Sequence, residues 1–326
     1  MPAPQQSPIR RRGRLGSELR QLREAAGLTG DQVIERIGWN SASKLSRLEN
    51  GRSKPEVQDV VALLDLYGAD PAKRDEVVMI ARDAGDLKGW LRSYASKMTD
   101  AQMPYAELEA GCAEIWEFSP IVVPGLLQTA DYTRIRLEST QPLNQAHPPK
   151  RELAALEAEV SARTSRQMLL TREEEPALYH AVLDEAVFGV RAGPPNVLQS
   201  QIRRLRTLAE LPNVTIQLLL RDTPVNGGWY LPHTGFSLYR FPDPNDPEAG
   251  SIEGLDSNLA IDDEKEIKRY KMVFGWLQAA ALSAEDTIRW LAEAALTRTN
   301  GSHDSHPGVP KPPSQRGPRT GRLTEP

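Results

Sequence analysis

With one cysteine in 326 residues, Cys112, the chain cannot form an internal disulfide, which suits a reducing compartment. No apolar run approaches the roughly 20 residues a membrane span requires. Met1–Arg14 is Pro-, Gln- and Arg-rich and lacks the apolar centre of a signal peptide, so the expected location is the cytoplasm. Histidine is scarce too: there are five, and His303 and His306 stand in a Pro-, Gly-, Ser- and Arg-rich tail without the further ligands a metal site needs. No G-x-S-x-G, phosphate-binding G-x-x-x-x-G-K, H-E-x-x-H, C-x-x-C or G-x-G-x-x-G is present, which removes the commonest hydrolase, nucleotide, zinc and dinucleotide signatures.

What the chain does have is an uneven charge. Up to Lys54 there are eleven Lys and Arg against five acids, a net +6, although the whole chain carries −4. The remainder therefore carries −10. Such a division points to a nucleic-acid-binding head on a body that does not bind nucleic acid.

Residues 14–56 carry the strongest local signal. Leu15, Leu19, Leu22 and Ala26 lie on one helical face, and Gly27 stops that helix. Thr29 and Gln32 form a capping box that opens a second helix with Val33, Ile34 and Ile37 inward, ended by Gly38. Asn40 or Ser41 caps a third helix, Ser41 to Asn50, whose Leu45 and Leu48 face the core. Ala42, Ser43, Lys44 and Arg47 are left on a face with no core to join. Two short helices with the second basic and outward are what a helix-turn-helix needs to enter a major groove. Ala42, Ser43, Lys44 and Arg47 are expected at base edges and Asn50, Arg52 and Lys54 at phosphates; the competing reading pairs Arg47 with Glu35. Ser53 and Glu56 suggest a further capping box, with Pro55 in the first turn of a fourth helix, and Asp70-Pro71 opens a fifth running to about Ala84.

The segments LRQLREAAGLT (19–29), ERIGW (35–39) and KLSRLENGRSKPE (44–56) resemble the Xre-like family of repressor-type helix-turn-helix proteins over about residues 14 to 82. Two features depart from that pattern. Ile34 replaces the usual small residue of the second helix, and the turn Trp39–Ala42 is one residue longer. The resemblance implies docking on DNA as a two-fold dimer.

The expected organisation is a disordered basic arm (1–13), a five-helix head (14–84), a link (85–89), a mixed α+β body (90–299) and a disordered tail (300–326). The fold class is thus mainly α with an α/β part. In the body, helices are expected over Trp90–Met98, Tyr105–Phe118, Lys150–Leu170, Pro195–Ala209, Glu264–Leu277 and Glu285–Ala295. Strands are expected over Ala177–Leu183, Val214–Leu220, Gly235–Phe241 and Ser251–Ala260.

VPGLLQT (123–129), SARTSRQMLLTR (161–172), AVLDEAVFG (181–189), LPNVTIQLL (211–219) and ALSAEDTIRWL (281–291) resemble a domain of unknown function that follows Xre-like heads in actinobacterial regulators. The resemblance covers about residues 90–297. Those proteins are described as antitoxin-like or developmental regulators of the WhiJ type. By that resemblance the chain has a small protein partner encoded by an adjacent gene.

An enzyme would have to draw on Cys112, His180, His233, Asp184, Glu185 or Asp262, Asp263 and Glu264. Each has a structural explanation. Cys112 reads as a small apolar residue at helical spacing, His180 as a strand residue, and the acidic pairs as helix caps. No catalytic residue, cofactor or metal is expected. The expected function is a sequence-specific transcriptional regulator whose body binds a protein or small ligand. The alternative is an interaction module acting mainly through its partner. Trp229 and Tyr230, in the glycine-rich stretch 226–233, are the expected partner contacts.

Overall fold

A computed structural model describes residues 7–84, 103–140, 153–189, 193–228, 230, 233–252, 254 and 259–297. The expected helix at Trp90–Met98, the link, Trp229 and the tail from 300 lie outside the described residues.

Five helices make the head: α1 Pro8–Ala25, α2 Gly30–Ile37, α3 Ala42–Glu49, α4 Val57–Tyr67 and α5 Pro71–Ala84. Leu15, Leu19, Val33, Leu45, Leu48, Val60, Leu63 and Leu64 close one core, with Val77 and Ile80 of α5 beneath. The Thr29–Gln32 capping box is formed in both directions, and Gly38 ends α2 at φ +77°. Ile34 is accommodated at the edge of this core, half-buried.

Three local expectations fail in the head. Residues 8–13 are not disordered: α1 begins at Pro8, whose missing N–H costs nothing in a first turn, and continues unbroken through the arginines. Ala26 is exposed because α1 has already ended, and Leu28 takes the core position instead. The fourth helix starts at Val57 with Glu56 as its cap and no side-chain cap bond, so Ser53 and Glu56 form no capping box.

Among the described residues, the body is a six-stranded mixed sheet between two helical layers, of order β3-β2-β1-β4-β5-β6. Its strands are β1 Glu114–Ser119, β2 Leu178–Asp184, β3 Val214–Leu219, β4 Phe236–Arg240, β5 Ala249–Ile252 and β6 Leu259–Ile261. The first three pair in parallel and the last three extend the sheet antiparallel from β1. The helices are α6 Met103–Ala110, α7 Ala130–Thr140, α8 Leu153–Ser165, α9 Met168–Thr171, α10 Pro195–Ala209, α11 Glu264–Ala280 and α12 Ala284–Thr297. Ile115, Tyr179, Ala181, Ile216 and Tyr239 pack on one side against α10, α12 and the 123–132 segment. On the other, Phe118, Val182, Phe236 and Leu238 pack against Phe274 and Leu277 of α11.

The strand β1 corrects the expected helix over Tyr105–Phe118, and with it the helical placement of Cys112, which sits in the turn before the strand. Central in the sheet, this segment is covered on both faces and shows no polar–apolar alternation. The helix expected over Lys150–Leu170 is broken after Ser165, and the strand expected over Ser251–Ala260 divides into β5 and β6.

Candidate nucleic-acid interface

Helix α3 is held by its buried side and its end. Ser41 Oγ accepts from the Ser43 N–H at 3.2 Å and caps the helix. Leu45 and Leu48 anchor it in the core. At its end, Glu49 is buried and accepts from Arg23 through both oxygens, at 2.7 and 3.2 Å, with Arg20 3.5 Å away. These bonds to Glu49 outweigh burial and raise the Arg23 pKa, keeping the guanidinium charged. Tyr67 lies in the same field; burial, then the Glu49 charge, push its phenol pKa up, so it stays neutral.

The close approach of α1 rests on Gly16, where a Cβ would come 2.4 Å from the Glu49 carbonyl oxygen. At Gly51, whose φ is +65°, a Cβ would come 2.9 Å from the Gly13 nitrogen and 3.0 Å from the Arg12 carbonyl carbon. Neither contact was anticipated from the sequence. A glycine on the otherwise ordinary α1 pattern was the available signal for the first.

The outward face of α3 exposes Ala42, Ser43, Ser46, Arg47 and Asn50, followed by exposed Arg52 and Lys54. Arg47 lies along this face with its guanidinium donating to Ser43 Oγ at 3.0 Å, rather than reaching Glu35. Asn50 accepts from Arg20 at 2.9 Å and donates to the Ser46 carbonyl at 2.6 Å. Among the described residues, Arg47, Arg52 and Lys54 have no acidic partner. Lys44 differs: its ammonium is 2.7 Å from Asp59 and 4.4 Å from the Trp39 ring centre, clasped against α4. The structure thus brings six of the seven expected DNA contacts onto one open strip and sets Lys44 at its flank.

The first cations of the chain point elsewhere. Arg11 and Arg14 reach Asp243 at 3.0 and 2.8 Å, and Arg14 also meets Glu76 at 2.8 Å. Arg12 pairs with Glu107 at 2.6 Å, and Arg10 with Asp262. Part of the charge asymmetry is therefore neutralised within the molecule, at a junction between head and body.

In the body, the expected structural roles hold for the acidic caps. Asp184 accepts from Ala186 N–H at 2.8 Å and Asp263 from Glu266 N–H at 2.9 Å. Cys112 is buried, and burial pushes its thiol pKa up, away from the reactive thiolate. His180 stands 3.4 Å from Glu114. The body also buries charge: Arg166 holds Glu109 through two bonds, and within the sheet the Tyr179 hydroxyl donates to Glu117. Burial, then the Glu117 charge, push the Tyr179 phenol well up. No group of three or more metal-ligating side chains is found among the described residues. Nor is any described helix long and apolar enough to cross a membrane.

The 226–233 stretch begins as a tight hairpin. Asn226 and Gly227 sit at φ +52° and +70° between the bridged pair Val225 and Gly228, an Asn-Gly turn with both central residues left-handed. Tyr230 packs edge-on against Trp276 of α11, ring centres 5.4 Å apart.

A helix-turn-helix with an exposed basic strip, joined to an α/β body, defines a DNA-binding regulator. Residues 14–77 match a family described as a helix-turn-helix domain. Residues 102–293 match the domain of unknown function DUF5753, and since that match spans more than half of the chain, the protein belongs to this family. No curated protein and no solved structure matches the chain.

Proposed function

We propose that the protein is a sequence-specific, Xre-like transcriptional regulator that lays α3 in the major groove. Ala42, Ser43 and Arg47 face base edges, and Asn50, Arg52 and Lys54 meet the phosphates on either side. The observation that carries this reading is Arg47: a long cation on the exposed face of a well-anchored helix, whose guanidinium, among the described residues, bonds only a serine hydroxyl. Lys44 contributes from the flank, where Asp59 and Trp39 hold it.

The body serves as the regulatory part of an antitoxin-like, WhiJ-type protein, acting in the cytoplasm as a homodimer. It binds a small protein encoded by an adjacent gene, or a small ligand, through Trp229 and Tyr230. The support is the half-exposed Tyr230 beside a glycine-containing turn; aromatic side chains commonly anchor interfaces. Unchanged binding of that partner by Trp229→Ala, Tyr230→Ala protein would move the contact elsewhere.

Selection of duplexes from a random pool by the full-length chain tests the main reading. The expected result is a recovered motif with defined base preferences. Retention of duplexes without any common sequence would overturn it.

A further inference from the structure

Arginines 10, 11, 12 and 14 lie on the first two turns of α1, and all four are engaged by the body. Arg10 donates to the Pro247 carbonyl at 2.9 Å, to the Glu248 carbonyl and to Asp262. Arg11 and Arg14 share Asp243 and Asp246, both in the β4–β5 connection, and Arg12 takes Glu107 of α6. The same turns of α1 run beside the DNA-facing strip. The Arg12 and Gly13 backbone touches Gly51, between Asn50 and Arg52, and Gly16 touches the end of α3. From this juxtaposition we infer that Arg10–Arg14 form a second DNA-backbone edge, continuous with Asn50, Arg52 and Lys54, which the body's acids Glu107, Asp243, Asp246 and Asp262 occupy in the state seen here.

Three features favour a contact that exchanges over one that is permanent. The carboxylates present to the arginines the same kind of paired anionic oxygens that phosphates offer, so the two compete for one set of donors. The ion cluster is imperfectly satisfied. Asp246 Oδ2 is 3.3 Å from Arg11 Nε without the alignment of a hydrogen bond, and Arg12 Nε is buried with no acceptor among the described residues. Buried ion pairs of this kind gain little net stability from their closeness, because desolvation opposes it. Finally, a cleft of about 530 Å³ between α1, α5 and Asn245–Pro247, lined by Arg14, Lys73 and Glu76, gives water and ions access to one side of the junction.

The inference rests on the DNA-binding reading above, and the test separates the two. Affinity of the full-length chain for a short mixed-sequence DNA duplex is measured across salt concentrations. Comparison is with Glu107→Gln, Asp243→Asn, Asp262→Asn protein. Each released arginine that meets a phosphate steepens the slope of log affinity against log salt by about 0.9; with Asp246 still beside Arg11 and Arg14, the opened variant should be steeper by about 2–3. Adding Arg10→Gln and Arg12→Gln should reverse part of that gain, while in the closed protein the same two changes should leave the slope nearly unaltered. A control with the same charge change on distant, exposed acids, Glu173→Gln, Glu174→Gln, Glu210→Gln, separates contact from net charge.

A slope equal to the control's overturns the inference while leaving the DNA reading intact, as does a loss of binding on Arg10→Gln, Arg12→Gln in the closed protein. Binding by neither the wild-type nor the opened chain at low salt overturns the DNA reading itself. Should the triple variant fail to fold, Glu107→Gln, Asp262→Asn protein frees Arg10 and Arg12 alone, and its slope should then steepen by about 1–2.

Discussion

Gly16 decides how near α1 can come to the end of α3, because the atom that a side chain would meet there is backbone. Gly→Ala in a helix ordinarily stabilises by about 1 kcal/mol. Here the added methyl would sit 2.4 Å from the Glu49 carbonyl oxygen, and neither helix can yield without moving the other. Gly16→Ala should therefore destabilise the head by about 1–3 kcal/mol, the usual range for overpacking, measured by denaturant unfolding. A neutral or stabilising result would show that the helices have room to separate. Lys44 presents the opposite situation, a residue whose chemistry suits base contact but whose geometry commits it to Asp59 and Trp39. Lys44→Ala should weaken operator binding less than Arg47→Ala does in the same titration. A larger loss at Lys44 would mean that the clasp opens on DNA.

The elements divide by how local their causes are. Helices α2 and α3 were legible because caps and apolar spacing act within a few residues: Thr29 and Gln32, Gly38, Leu45 and Leu48 all stand where the pattern put them. Strand β1 was not, since its two covered faces erase the alternation that marks a strand, and its buried Glu117 accepts from Tyr179, 62 residues away, a partner no local pattern reveals. The start of α1 was hidden for a similar reason. An arginine run on its own reads as a solvated arm, and only acids more than ninety residues distant turn it into a buried helix end. At the interface itself, exposure of Arg47, Arg52 and Lys54 followed from pattern, whereas the Asp59 clasp on Lys44 needed the packing of α4.

That junction also has a pH signature. Burial raises the Asp243 pKa, but the Asn245 N–H and the Arg14 and Arg11 guanidinium groups more than offset it and hold the carboxyl below its ordinary range. A carboxyl with a depressed folded-state pKa contributes stability above its unfolded value of about 3.9 and loses it as pH falls through the folded value. Asp243→Asn should consequently be less stable than the parent at neutral pH, with the gap closing in acid, as followed by thermal melts across pH. A gap that stays constant into acid would mean that Asp243 contributes through packing rather than charge.

At the scale of the whole molecule, α1 belongs to both parts: its first turns are gripped by the body and the rest fills the head core. A body that holds two chains together would thereby also set the separation of two recognition helices. One small head covers little groove, and repressor-type heads dock as two-fold pairs on half-sites about one helical turn apart. The full-length chain should accordingly scatter light as a dimer at micromolar concentration; a monomer that binds one head per operator would refute the assembly.

The central claim, that α3 reads bases through Arg47, is tested most directly by measuring affinity for every single-base variant of the selected operator with wild-type and Arg47→Ala protein. Arg47→Ala should cost about 1–3 kcal/mol on the best sequence and lose discrimination at one position of each half-site, with preferences elsewhere retained. A uniform weakening on all sequences would make Arg47 a phosphate contact, and an unchanged profile would place recognition outside α3; either result contradicts it.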